Sequence, residues 1–397
     1  MDFFQTRTGK ILAMTEKSAG FWPYQHKLIN YPLRSILFFF LVTSTITSIA
    51  AIINREGVDP LVIIETGLSM MIKTSVLTKL IMACLYQTYR QNCYEKMVQH
   101  FKEITDQSEL KVLISFSDRG LRYAVVYLAA TALCGGVYLT LPIQIMCFDY
   151  FLNPNTTELE KILPVHVEYF VDYKKYYNYI IFHILCYMTS VFVVIIPYDL
   201  AYILEIRHIA ALFTIIKMRL KRSSATLDVY EKSKYVSASL DNEVNAVISE
   251  AIILHNEAFE MINLIEDTNN VGMVGILFQN MILFGACPFL LSVHLNRPME
   301  FSRYTLMYIL ISLHFWVIFT HGQMIIDCSS SIFDTCYEFQ WYYLTKKSSK
   351  LIYIMMTRTV LPSEVTGGKL FILSMETYGQ MVKTGLSLFT IFKSLGI

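Results

Sequence analysis

The chain has 397 residues, of which 54% are hydrophobic, 16% charged and 14% aromatic, with 33 Lys+Arg against 32 Asp+Glu and a net charge of +1. Soluble domains carry about a quarter charged residues, so this composition points to lipid as the solvent and excludes a disordered chain. With no basic excess to neutralise phosphates, a dedicated nucleic-acid binder is also excluded. The 8 cysteines form no CxxC pair and sit mostly in apolar runs, where they read as small packing groups.

A helix needs about 20 mostly apolar residues to cross a bilayer. After a segment at 1–34, the run at 35–53 meets that length without a charge, and the run at 60–86 meets it while carrying Glu65, Lys73 and Lys79. Four uncharged runs follow at 123–148, 176–198, 269–295 and 304–326, and a last one at 370–395 holds Glu376, Lys383 and Lys393. The expected fold is therefore an all-α membrane protein with seven transmembrane helices. Its divisions are 1–34, spans 1 to 4 over 35–204 with a long loop at 148–175, a helical insert at 205–267, spans 5 and 6 over 268–328, a connecting segment at 329–366, and span 7 over 367–397.

Lys and Arg settle on the cytoplasmic side. Arg7, Lys10, Lys17, Lys27 and Arg34 precede span 1; Arg90, Lys96, Lys102, Lys111 and Arg119 lie between spans 2 and 3; Arg207, Lys217, Arg219, Lys221 and Arg222 follow span 4; and Lys346, Lys347, Lys350, Arg358 and Lys369 follow span 6. The alternate loops are sparse, so the N-terminus is expected inside and the C-terminus, after seven crossings, outside. Asn155-Thr156-Thr157 is a glycosylation acceptor in a loop that this rule already places outside. No apolar stretch precedes residue 35, so span 1 is expected to act as an uncleaved anchor.

The insert at 205–267 is too patterned for a plain loop. Ile248, Ile252, Phe259, Ile262 and Ile265 recur at three- and four-residue spacing between Glu250, Glu257 and Glu260, and residues 198–221 extend span 4 in the same way. Helices leaving the bilayer with an apolar face must bury it, so a cytoplasmic helical bundle is expected, with helices lying on the membrane surface as the alternative. Span 7 differs from the others in polarity, with Ser374, Thr377, Gln380, Thr384, Ser387, Thr390 and Ser394 along it. Such a helix either packs within a bundle or lines an aqueous path. Ile391 and Leu395 share one face, and repeated around a symmetry axis they would make a hydrophobic constriction.

Trp341-Tyr342, Arg358, Pro362, Thr366-Gly367-Gly368-Lys369, Leu373-Ser374-Met375-Glu376-Thr377-Tyr378 and Val382-Lys383-Thr384, in that order, resemble the C-terminal signature of insect odorant receptors. Leu254-His255-Asn256-Glu257 and Gly20-Phe21-Trp22-Pro23 resemble two further elements of that family. The resemblance is to its variable, odorant-specific subunits, particularly those of ants, bees and wasps, rather than to the shared co-receptor. It implies a ligand-gated, non-selective cation channel: a tetramer with one central pore, built with the co-receptor in the plasma membrane of olfactory sensory neurons. No cofactor is implied. By position, Lys383, Ser387, Thr390 and Ser394 would line the pore, Ile391 and Leu395 would form its gate, and residues 336–356, with Trp341 and Tyr342, would supply an anchor helix between subunits.

The family's odorant pocket lies in the outer half of spans 2 to 6. Direction of travel along each span converts this to Ser69, Met70 and Lys73; Gly135, Tyr138 and Leu139; Phe182, His183, Cys186 and Tyr187; Phe278 and Ile282; and Tyr304, Met307, Tyr308 and Ile311. Packing or lipid contact is the competing explanation for each. Walls rich in aromatics and Met suit a small apolar odorant or hydrocarbon-like ligand. Among the charges within spans, Lys79 is expected to snorkel to the inner boundary, and Lys383 to sit in a hydrated vestibule. The main alternative, a seven-span chemoreceptor of the G-protein-coupled type, has the opposite orientation, and the chain lacks that class's D-R-Y and N-P-x-x-Y motifs. No HExxH or GxSxG is present and the histidines of the spans are isolated, so neither an enzyme nor a metal site is expected.

Overall fold

The computed structural model describes residues 2–54, 60–152, 163–231 and 238–394. Among them are ten α-helices: α1 (Arg7–Ala19), α2 (Lys27–Ile53), α3 (Pro60–Leu85), α4 (Gln87–Glu103), α5 (Gln107–Leu152), α6 (Tyr177–Glu231), α7 (Ala238–Val293), α8 (Pro298–Glu338), α9 (Lys346–Thr359) and α10 (Met375–Ser394). A hairpin of β1 (Thr366–Gly367) and β2 (Phe371–Ile372), paired antiparallel, is the departure from an all-helical chain.

Local sequence sets the element ends. Thr6 caps α1 by accepting the Gly9 amide at 3.1 Å, and Gly20 ends it in the left-handed region at φ 72°, where a side chain would be strained. Within the apolar helices, hydroxyls turn back onto their own backbone: Thr43 donates to the Phe39 carbonyl at 2.7 Å and Thr74 to that of Met70 at 3.0 Å. Lipid offers these groups no partner, so the helix supplies one.

Among the described residues, six helices contain stretches long and apolar enough to cross a membrane: Lys27–Ile53, Pro60–Leu85, Gln107–Val137, Tyr177–Leu227, Leu240–Val293 and Pro298–Glu338. The hydroxyls, amides and charges of α10 keep it out of that set. It also starts later than the sequence run at 370, because residues 366–372 are taken by the hairpin.

Helix α6 occupies the centre. It packs against α1, α2, α3, α5, α7 and α8, and every residue from 197 to 213 is buried. That stretch is mostly apolar, and the polar groups it does carry, Asp199, Glu205, Arg207 and His208, are buried with it. Where α1 and α4 cover it, Glu16 accepts from Tyr94 Oη at 2.6 Å and from Arg90 Nη1 at 3.2 Å, with both charges buried. Phe3, Phe4, Trp22, Tyr94 and Phe101 form an aromatic cluster beside the pair, with Phe4 edge-on to Trp22 and Tyr94 and the other contacts tilted.

The segment after α8 departs from a continuous anchor helix. α8 ends at Glu338, Trp341–Tyr343 form one turn of 3-10 helix, and α9 starts at Lys346. Trp341 and Tyr342 therefore lie in a connecting turn with exposed rings rather than inside a helix. Asp241, at the start of α7, fixes the junction by accepting the Thr345 amide at 3.0 Å and its hydroxyl at 2.8 Å.

Candidate functional site

Between α3, α5, α6, α7 and α8 the helices enclose a cavity of about 210 Å³ with mostly apolar walls. Its lining on α8 includes Tyr304, Met307 and Ile311, at the spacing of one helix face. Ser69, Ile72 and Val76 supply the same kind of face from α3, and Tyr187, Val191 and Ile195 from α6. Gly135 lets α5 approach, since a Cβ there would lie 2.2 Å from the Phe192 ring.

Polar groups mark the two ends. At one end Glu65 accepts from His166, in the segment before α6, at 2.8 Å and from His294, at the end of α7, at 2.9 Å, beside Arg303 and Tyr304. At the other end Lys79 Nζ donates to Asp199 Oδ1 at 2.6 Å, and Tyr127 Oη lies 2.8 Å from Asp199 Oδ2 and 2.7 Å from His314 Nδ1. Lys79 is thus buried in an ion pair and does not snorkel, because Asp199 on α6 provides a counter-charge within the helix bundle.

A second feature is the outward face of α10. Glu376, Gln380, Lys383, Ser387, Thr390 and Ser394 recur at three and four residues and are exposed, as is Ile391 beside them. The opposite face carries Met381 and Gly385 against α7. There Gly285 and Gly385 let the two backbones touch: a Cβ on Gly285 would lie 2.9 Å from the Gly385 carbonyl oxygen, and one on Gly385 2.7 Å from Phe284 Cβ. At the base of α10, Thr366 donates both its amide and its hydroxyl to Glu266 of α7, at 3.0 and 2.7 Å. Gly368 follows at φ 66°, in the left-handed region that the turn between β1 and β2 requires.

Residues 61–385 match the family model described as 7tm odorant receptor. The chain belongs to that family. Over 122 residues, 30% of each chain, it is 26% identical to odorant receptor 49a of Drosophila melanogaster, so it spans under a third of that relative's length in the match. Its fold is similar to that of the insect olfactory receptor OR5 from Machilis hrabei in complex with eugenol, with a TM-score of 0.77, 9% identity and 97% of each chain covered. A second structure of OR5 aligns at a TM-score of 0.65, with 11% identity and 96% coverage of both chains. This odorant receptor is accordingly a helical, multi-pass membrane protein of an insect receptor family.

Of the pocket residues expected from sequence, the receptor brings Ser69, Gly135, Tyr187, Tyr304, Met307 and Ile311 together on the cavity wall. Others lie on faces of their helices that do not reach the cavity. Lys73 is fully buried away from the cavity, donating to the Ser44 carbonyl at 2.9 Å and to Ser48 Oγ at 2.6 Å on α2. His183 pairs with Thr43 at 2.9 Å and Tyr169 at 2.7 Å. Phe182 and Phe278 are exposed on the outer surface, Tyr308 packs edge-on against Phe284, and Met70, Cys186 and Ile282 are half-buried outside the lining. The side chains of Tyr138 and Leu139, and all of Asn155 and Leu395, lie outside the described residues. Sequence reasoning missed Glu65, Tyr127, Asn280 and His314, all on the lining. Their polarity inside apolar runs was the available signal.

Proposed function

We propose that this chain is the odorant-specific subunit of a ligand-gated, non-selective cation channel with seven spans, an inside N-terminus and an outside C-terminus. Around a four-fold axis shared with co-receptor subunits, the exposed stripe of α10 lines the pore. The observation that carries this reading is the one-sided polarity of α10, which is seamed to α7 by glycines and presents Lys383, Ser387, Thr390 and Ser394 outward with Ile391 at its far end. The same reading assigns the gate to Ile391 and Leu395, subunit anchoring to the turn with Trp341 and Tyr342, glycosylation to Asn155, and the site of action to the plasma membrane of olfactory neurons.

The cavity takes a small, largely apolar odorant. Ligand that fits the open arrangement better than the closed one shifts the population toward open. The test is current recording from cells expressing the chain with and without a co-receptor, under a broad odorant panel. Odorant-evoked cation current is expected with the co-receptor; its absence despite surface expression would overturn the proposal. Ile391→Ser should raise basal leak, and an unchanged leak and permeability would remove Ile391 from the gate.

A further inference from the structure

One end of the cavity carries a complete chain of proton partners that terminates in an open valence. Asp199 is buried behind Lys79, Tyr127 and His314, which line the cavity. The Tyr127 hydroxyl has one proton and two neighbours, Asp199 Oδ2 at 2.8 Å and His314 Nδ1 at 2.7 Å. Facing the Lys79 ammonium at 2.6 Å, Asp199 is a carboxylate, and a carboxylate only accepts. Were the phenol to turn its proton to His314, its oxygen lone pairs would face Oδ2 at hydrogen-bond distance. The phenol therefore donates to Asp199, and His314 Nδ1–H donates to the phenol oxygen.

That assignment fixes the remaining nitrogen. A doubly protonated ring beside Lys79 would leave two cations on one carboxylate inside apolar walls, a costly arrangement. The neutral ring with its proton on Nδ1 has Nε2 as an acceptor. Nε2 makes no hydrogen bond among the described residues, and the His314 side chain keeps 17% of its surface accessible. Lys79 uses one of its three donors on Asp199 and lies on the same stretch of lining.

We propose that this end of the cavity is a hydroxyl-recognition site: His314 Nε2 accepts the O–H of an alcohol or phenol whose apolar body fills the cavity, while Lys79 donates to the same oxygen. The inference rests on the cavity being the ligand site and adds the ligand class. A ketone, ester or ether can take the donor from Lys79 but leaves Nε2 unpaired, and a hydrocarbon leaves both unpaired. An unmade hydrogen bond of this kind in a closed site is a stronger discriminator than a change in apolar size.

The test uses the purified full-length chain in detergent and three probes of matched size: n-octanol, its isomer heptyl methyl ether, and n-nonane. Binding is read as the ligand-concentration dependence of the thermal unfolding midpoint. The wild type is expected to bind n-octanol about tenfold more tightly than the ether, with n-nonane weaker still. His314→Leu should abolish the preference for n-octanol over the ether while n-nonane binding persists. Tyr127→Phe, which frees the ring to exchange tautomers, should narrow the same preference without removing binding, an effect that a merely structural role would not produce. Equal binding of n-octanol and the ether by the wild type, or a preference that survives His314→Leu, would overturn the hydroxyl site alone. No binding of any probe would overturn it together with the cavity's assignment as the ligand site.

Discussion

Helix α6 meets two environments along one length. In its first part, exposed and buried positions alternate: Tyr179, Phe182 and Leu185 are exposed, while Ile180, Ile184 and Tyr187 are buried. From residue 197 to 213 nothing is exposed. The first part has an apolar outer face, suited to lipid, and an inner face toward a cavity. The second is the core of a multilayered bundle closed by α1, α4, α5, α7 and α8. One part of the molecule thus has room for a guest, and the other has the close packing that holds a fold in register.

Four changes probe that contrast, in decreasing order of expected effect. Arg90→Ala strands Glu16 as an unpaired buried charge under α1 and should lower unfolding free energy by about 3–5 kcal/mol, read by thermal denaturation in detergent and by loss of surface expression. Gly385→Leu forces a side chain into the Phe284 Cβ contact and should cost about 1–3 kcal/mol, with a lowered melting midpoint and altered basal current. Ser69→Phe fills the cavity rather than disturbing the bundle; ligand potency should fall at least about tenfold, a loss of about 1.4 kcal/mol in binding, with the melting midpoint nearly unchanged. A midpoint drop as large as that of Arg90→Ala would mean the two parts are not separable.

The smallest effect is a pH slope at His100. Burial pushes its ring below the ordinary 6.5, against the nearby Glu257 carboxylate, which accepts at 3.2 Å; His208 stacks on the other side at 5.2 Å. A depressed folded-state value means that the unfolded chain takes up a proton that the folded chain resists. Stability is then fully present above about 6.5 and declines as pH falls below it toward the folded-state value. His100→Phe should flatten that part of the stability profile, measured by melting midpoints across an acidic buffer series; an unchanged slope would exclude His100 as its source.

The apolar runs were readable from sequence, and which face of each helix turns inward was not. The resemblance to the family, with direction of travel along each span, singled out Tyr304, Met307 and Ile311, which lie on the cavity wall. Whether a residue faces inward depends on helix rotation, set by partners far away in the chain. Tyr308 is one position past Met307 and points elsewhere; Lys73 turned to Ser44 and Ser48, and Lys79 found Asp199 120 residues away. The hairpin was not read from the sequence, which began span 7 at 367; Gly368, at φ 66°, was the local signal for its turn. The division between α8 and α9 was hidden because residues 339–345 carry no Gly or Pro to announce a break.

The hairpin that pins Thr366 to Glu266 also determines how α10 can move. The helix is held at its base by those two hydrogen bonds and rests midway on a contact in which Gly285 and Gly385 let it lie close against α7. It is a lever of 20 residues, about 30 Å long. A tilt of ~10° about the hairpin carries the far end, with Ile391 and Ser394, through ~5 Å while shifting the base hardly at all. A modest rearrangement beside α7 is thereby converted into a much larger displacement at the far end of the helix.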